Sequence, residues 1–220
     1  MSLRSGNTLL FAALPGRSFM RQEMPYDAGQ GRRFYGILTS VVVPRPIAWV
    51  STISKEGVEN LAPHSLFTIA SAEPAIIQFT SVGHKDSLRN AVETGEFVVN
   101  LANRENFEKV NASGTNYPPE VDEFEALGLE REPSVSVRPS RVASSPVALE
   151  CATEGTRDFG ESVVVFGRLK HVAVDEAVLT DGWPDIHKLQ PLARLGGPVQ
   201  WSEIGEVLEI SRIPYEETGA

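Results

Sequence analysis

The stretch from Pro44 to Asn90 carries most of the residues in this chain whose types and spacing could do chemistry. It contains Pro44-Arg45-Pro46-Ile47-Ala48-Trp49-Val50-Ser51-Thr52, then Asn60-Leu61-Ala62-Pro63-His64-Ser65-Leu66-Phe67, then His84-Lys85-Asp86-Ser87-Leu88-Arg89-Asn90. Three clusters of hydroxyl, amide and cationic residues are separated by apolar runs of strand length. In that arrangement the loops of a sheet can gather polar groups around one flat, phosphorylated ligand.

Each cluster has an ordinary reading beside the functional one. Lys85-Asp86-Ser87 stands where a helix should begin, and a helix N-terminus offers unpaired N–H groups and partial positive charge to a phosphate. Lys85 and the Ser87 hydroxyl add donors, although the segment taken alone favours plain capping, with Asp86 as the N-cap. Ser51 and Thr52 close a strand before the turn at Gly57, where hydroxyls more often bond only nearby backbone. Asn60 to Ser65 is more telling. An amide, a proline lacking N–H and a hydroxyl in an irregular stretch suit the edge of a heteroaromatic ring.

The elements that must position these clusters are mostly strands. β-Branched and aromatic runs recur at residues 37–43, 47–53, 66–71, 76–80 and 97–101, each bounded by turn signals. Pro44 and Pro46 bracket Arg45 and predict a bulge or corner, and Lys55-Glu56-Gly57 predicts a hairpin into residues 58–61. Residues 86–93 read as a short helix stopped by Gly95, residues 103–110 as a second, and residues 120–127, ending at Gly128, as a third. Strands return at 147–153, 163–174 and 207–213, with a loop-rich section over 180–198. Short helices between antiparallel strands predict a mainly β fold, a split Greek-key antiparallel β-barrel with short helical insertions, and not a doubly wound sheet.

Length and charge bound the rest. The 220 residues, 41% of them apolar, suit one domain with a full core. We read residues 30–220 as that domain and residues 1–29 as an N-terminal extension, an over-long or vector-derived start with Met20 or Met24 as initiator. The net charge of −9 speaks against nucleic acid or anionic lipid as a partner, so any anion must be bound locally. The single cysteine, Cys151, excludes an internal disulfide framework and fits a reducing, cytoplasmic setting. No apolar run approaches the roughly 20 residues of a membrane span, which predicts a soluble protein.

In order and spacing the three clusters resemble the flavin reductase-like family with the FMN-binding split-barrel fold. Gly95-Glu96-Phe97-Val98-Val99-Asn100, Pro146-Val147-Ala148-Leu149-Glu150-Cys151 and Pro191-Leu192-Ala193-Arg194-Leu195-Gly196-Gly197 extend the resemblance over residues 30–213. It implies that Lys85 and Ser87 hold an FMN phosphate. Ser51, Thr52, Asn60, Leu61, Ala62 and Ser65 would line the ribityl chain and ring edge, with Thr80 and Ser81 as further contacts and Arg45 and Arg194 at charged positions of the pattern. It also implies an oxidoreductase taking electrons from NADH or NADPH, a homodimer with flavin near the interface, and a possible partner oxygenase.

Two departures stand out. Trp201 follows the Arg-Leu-Gly-Gly loop where the family often has Tyr, and Gly160-Glu161-Ser162 stands where many oxygenase-partner reductases have Gly-Asp-His. The second favours, somewhat, a flavin-carrying electron-transfer protein with little nicotinamide activity.

Other candidates are weaker. His64, His84, His171 and His187 lack metal-ligand spacing, and each reads as a surface or hydrogen-bonded residue. Cys151 reads as an inert buried thiol, and Glu120, Asp122, Glu123 and Glu125 as a solvated helix face. There is no Gly-x-Ser-x-Gly elbow and no Gly-x-Gly-x-x-Gly turn opening a helix. A binding module without cofactor is the remaining alternative, and the retained Asn60, Ser65, Lys85 and Ser87 speak against it.

Overall fold

A computed structural model describes residues 20–213. The first 19 residues of the expected N-terminal extension, and the last seven of the chain, lie outside the described residues. In chain order the elements are α1 (Gly31–Val41), β1 (Arg45–Pro46), β2 (Ala48–Ile53), β3 (Glu59–His64), β4 (Phe67–Ser71), β5 (Ile76–Val82), α2 (Asp86–Thr94), β6 (Glu96–Leu101), α3 (Phe107–Ala112), α4 (Glu123–Leu127), β7 (Arg131–Glu132) and β8 (Arg141–Val142). There follow β9 (Val147–Phe159), β10 (Ser162–Val174), β11 (Leu179–Thr180), β12 (Trp183–Pro184), α5 (Ile186–Leu189), β13 (Ala193–Arg194) and β14 (Trp201–Ser202).

Seven strands form one antiparallel sheet in the order β3-β2-β6-β9-β10-β5-β4. Its two edge strands, β3 and β4, are consecutive in the chain and joined by Ser65 and Leu66 alone. A flat sheet of seven strands would hold its edges about 29 Å apart, whereas so short a link spans about 11 Å. The sheet must therefore curl until its edges meet. The β4–β5 ladder runs on into that link, with the Thr80 amide donating to the Leu66 carbonyl at 2.9 Å. The fold is mainly β, a split antiparallel barrel with short helical insertions, as expected.

Inside the curl, Val50, Phe79, Phe97, Val99, Cys151, Val163 and Val165 form one buried cluster, into which α2 inserts Leu88 and Ala91. Gly95 stops α2 in the left-handed conformation, φ 76°. A second cluster of Trp49, Leu61, Val110, Phe124 and Val142 lies beneath α3 and α4. The Trp49 indole donates to Ser113 Oγ at 2.8 Å, which holds the segment after α3 against β2.

Several expectations are corrected. Residues 37–43 fall largely in helix α1, where Phe34, Ile37, Leu38 and Val41 follow helical spacing; the apolar run suited strand and helix alike. The helix expected at residue 103 starts at Phe107 because the Asn103 carbonyl oxygen Oδ1 accepts from the Asn106 amide Nδ2 at 2.8 Å and favours a turn. The helix expected at 120 starts at Glu123, capped by Asp122, whose carboxylate accepts from the Phe124 and Glu125 amides. Asn60 to His64 is regular strand, not an irregular stretch. The N-cap position of α2 is taken by Lys85, since Asp86 pairs with Arg89 at 2.5 Å.

The strand expected at 207–213 is absent. That segment is exposed, with Leu208 at 82% and Ile210 at 94%, and no strand among the described residues pairs with it. Pro44 and Pro46 do mark a corner: β1 leaves the main sheet and pairs with β13, which pairs in turn with β14.

Candidate functional site

The seam where the barrel is split opens into a cavity of about 340 Å³, within the range of small-molecule sites. One wall is β3, from Asn60 to His64, continuing through Ser65 and Leu66. Thr80 and Val82 of β5 face it, and His84, Lys85, Asp86 and Ser87 close one end at the start of α2. Ser113 to Tyr117 after α3, Glu123 of α4 and Tyr35 of α1 complete it.

Of the residues singled out in the sequence, Asn60, Ala62, Ser65, Thr80, Lys85 and Ser87 line this cavity. Ser51, Thr52, Leu61 and Ser81 do not. Ser51 is buried and donates to the Ser140 carbonyl at 2.5 Å, and Ser81 donates to the Gly83 carbonyl at 2.8 Å. Leu61 is in the second core cluster. Thr52 stands behind the wall, where its Oγ1 accepts from Asn60 at 3.3 Å and from Asn90 at 3.2 Å. Arg45 and Arg194 line a neighbouring cavity that shares Tyr35 and Ser65 with the first.

At the α2 end the donors are well organised. The cap residue makes no side-chain cap, so the first-turn amides of α2 have no intrahelical partner. Asn60 Nδ2 donates to Ser87 Oγ at 3.1 Å; the hydroxyl already accepts there, which leaves its proton for an acceptor in the cavity. Lys85 Nζ reaches across the rim to Asn116 Oδ1 at 3.3 Å. Asp86, which lines the same end, is paired with Arg89. An ammonium, a hydroxyl and helix-terminal amides with the local acid neutralised fit a phosphate ester.

Two titratable residues on the same walls were missed as site residues. Glu123 belongs to the acidic run expected to be solvated, yet it is 5% exposed and its Oε2 accepts from the Leu61 amide at 3.1 Å. Burial raises its carboxyl to about 7, against the lowering effect of the Leu61 amide. His64 is buried against Phe79, ring centroids 4.7 Å apart, and its Nε2 has no hydrogen-bond partner among the described residues. Burial, with a smaller push from Lys85, lowers it to about 4 despite the Thr80 backbone, so it is neutral at pH 7. Their positions depend on α4 and β5 packing against β3, which no local pattern announces.

Cys151 is fully buried and burial pushes its thiol up to about 12, an inert group. No cluster of three potential ligands suited to a metal occurs among the described residues, and no helix among them is long and apolar enough to cross a membrane. Trp201 packs edge-on to Phe107 and lies under the Arg194 guanidinium, 4.6 Å from its carbon to the ring centroid. Gly160-Glu161-Ser162 forms the β9–β10 turn, with the Glu161 carbonyl accepting from the Gly83 amide at 2.8 Å.

A model of the flavin reductase like domain matches residues 40–192. An uncharacterised protein of Aquifex aeolicus is 36% identical over 182 residues, which cover 80% of this chain and 93% of that one. Among solved structures, nitrilotriacetate monooxygenase component B from Bacillus cereus has a TM-score of 0.80 at 28% identity, over 87% of this chain and all of that one. The 2-nitrobenzoate 2-nitroreductase of Pseudomonas fluorescens has a TM-score of 0.78 at 28% identity, over 89% of this chain and all of that one.

Proposed function

Because this chain belongs to the flavin reductase like domain family, we propose that it is an FMN-binding oxidoreductase that draws electrons from NADH or NADPH. The observation that carries this reading is the donor set at one end of the cavity: Lys85, the free proton of Ser87 and the uncapped start of α2. Bound there, FMN would supply hydride acceptance and onward electron transfer.

The chain's own residues bind and orient. Lys85 and Ser87 hold the phosphate, Asn60 keeps the Ser87 hydroxyl turned, and Thr52 with Asn90 braces Asn60 from behind. Ala62, Ser65 and Thr80 flank the remainder of the ligand, with Ser51, Leu61 and Ser81 as its structural backing. No residue is assigned as a general acid or base for the hydride step. The acceptor is a small molecule or a partner oxygenase, a reading supported by the similar monooxygenase component and nitroreductase.

A homodimer and a single domain over residues 30–220 belong to the same proposal. The exposed face of α1, with Leu38 57% and Val41 68% exposed, and the bare apolar segment at 204–213 support a second copy as a neighbour. Cytoplasmic location fits the single cysteine.

A second reading, an FMN electron carrier with little nicotinamide activity, is favoured by Glu161-Ser162 at the β9–β10 turn. Absorbance of the purified protein, followed by anaerobic addition of NADH and then NADPH, separates the readings. Bleaching by either donor supports the reductase, and a yellow protein unmoved by both supports the carrier. A protein that cannot be loaded with FMN overturns both.

A further inference from the structure

Two arginines face each other across the β1–β13 ladder. Arg45 and Arg194 are direct antiparallel partners, an arrangement that like charges disfavour. Neither has a carboxylate within ion-pair distance among the described residues. Arg45, 7% exposed, is held by backbone oxygens: Nη1 donates to the Thr39 and Val42 carbonyls at the end of α1, and Nη2 to that of Leu195 at 2.8 Å.

Arg194 is the less committed of the pair. One of its nitrogens, Nη2, donates to the Pro198 carbonyl at 2.9 Å, and its plane lies over Trp201. Nε and Nη1 have no partner among the described residues. Burial, and then the charge of Arg45, push its guanidinium below the ordinary value, which marks a cation lacking its counter-charge.

Both arginines line a cavity of about 380 Å³ walled by Tyr35, Thr39, Ser40 and the Gly196-Gly197 backbone. Gly196 is there by necessity, since a Cβ would come within 2.7 Å of Ser40 Oγ and 2.9 Å of its Cα. Through Ser65 and Tyr35 this cavity adjoins the one assigned to FMN.

We propose that Arg194, with Arg45 behind it, forms a subsite for the anionic group, carboxylate or phosphate, of the small molecule that exchanges electrons with the flavin. The inference rests on the FMN reading for what lies next door, but the subsite is built from residues outside that cavity. Nε and Nη1 each share an edge of the guanidinium with Nη2, whose second hydrogen is left over from the Pro198 bond, so one edge keeps the paired donors that such a group fits. The Tyr35 hydroxyl on the same wall can add a donor, whereas those of Thr39 and Ser40 are spent on the Tyr35 and Gly36 carbonyls of α1.

The test is calorimetric titration of FMN-loaded protein with two matched pairs of probes, benzoate against benzamide and adenosine 2′-phosphate against adenosine. At least one anion should bind about tenfold or more tightly than its neutral partner, the scale of a charge-assisted contact. Preference for benzoate points to a carboxylate-bearing acceptor, and preference for the phosphate to the nicotinamide donor. Arg194→Gln should abolish the preference while FMN affinity stays within about twofold. Should that variant not fold, Arg194→Lys, which keeps a charge without the paired donors, should weaken it several-fold. No preference in the unaltered protein, or an undiminished one in the folded variant, overturns the proposal. If the protein takes up no FMN, the same comparison on the flavin-free chain keeps the two readings separate.

Discussion

Asn60 on β3 donates to Ser87 Oγ in the first turn of α2 at 3.1 Å, and this bond ties the split edge of the barrel to a helix start. The second amide hydrogen goes to Thr52 Oγ1 at 3.3 Å, which also accepts from Asn90. All four side chains are buried. The amide of Asn60 thus sets which way the Ser87 hydroxyl can donate, so the ligand-facing donor is organised before any ligand arrives.

Lys85→Ala and Ser87→Ala should weaken FMN but not riboflavin, which lacks the phosphate. A charge-assisted bond is worth about 1.5–3 kcal/mol and a neutral one about 0.5–1.5, so the lysine variant should lose more. Flavin-fluorescence titration of both ligands checks this. Equal weakening of FMN and riboflavin by Lys85→Ala would remove it as a phosphate ligand.

Glu123 should make stability fall with rising pH. Its carboxyl is raised by burial from an ordinary 4.5 to about 7, so the folded state holds the proton more tightly than the unfolded chain. Its contribution is full below about 4.5 and is lost as pH rises through about 7. His64, lowered to about 4, works the other way: its contribution is present above 6.5 and is lost as pH falls toward 4. Glu123→Gln should flatten the fall between those limits in urea-unfolding curves. An unchanged slope would place the carboxylate in solvent.

Glu150→Ala should be among the most damaging single changes. The side chain is fully buried; it receives the Val135 and Ser136 amides, the Ser136 hydroxyl at 2.6 Å and Arg141 at 2.5 and 2.8 Å. Burial pushes the carboxyl up, but these donors outweigh it and hold it at about 2. Removing it leaves Arg141, whose side chain is 6% exposed, with the half-exposed Glu132 at 2.8 Å as its one carboxylate partner among the described residues and leaves the Val135 and Ser136 donors unpaired, at a cost of about 3 kcal/mol. In the unaltered protein this contribution is present above about 4.5 and is lost as pH falls toward 2. Thermal unfolding of the variant within about 1 kcal/mol of wild type would contradict the geometry.

Gly167→Ala should destabilise by about 1–3 kcal/mol through overpacking. A Cβ on β10 at that position would lie 2.2 Å from Phe97 Cζ and 3.0 Å from Cys151 Cβ. Chemical denaturation of Gly167→Ala alone and combined with Phe97→Leu checks the cause, since the smaller partner should recover part of the loss.

Local pattern alone carried the strands β2, β5, β6 and β10, the turn at Gly57, and α2 with its Gly95 stop, because side-chain period and backbone permissiveness are properties of a few adjacent residues. It carried the family as well, through clusters whose order along the chain survives without knowing where they meet. Tertiary structure decided which of those residues share a cavity. Asn60 and Ser87 meet because the sheet curls far enough for a two-residue link between its edges, while Thr52 falls behind Asn60 on the paired strand and Ser51, one residue away, takes the opposite face toward Ser140. The burial of Glu123 against the Leu61 amide and the confrontation of Arg45 with Arg194 were equally illegible. Each is a contact between distant segments, made by the closing of the barrel and not by the chemistry of either neighbourhood alone.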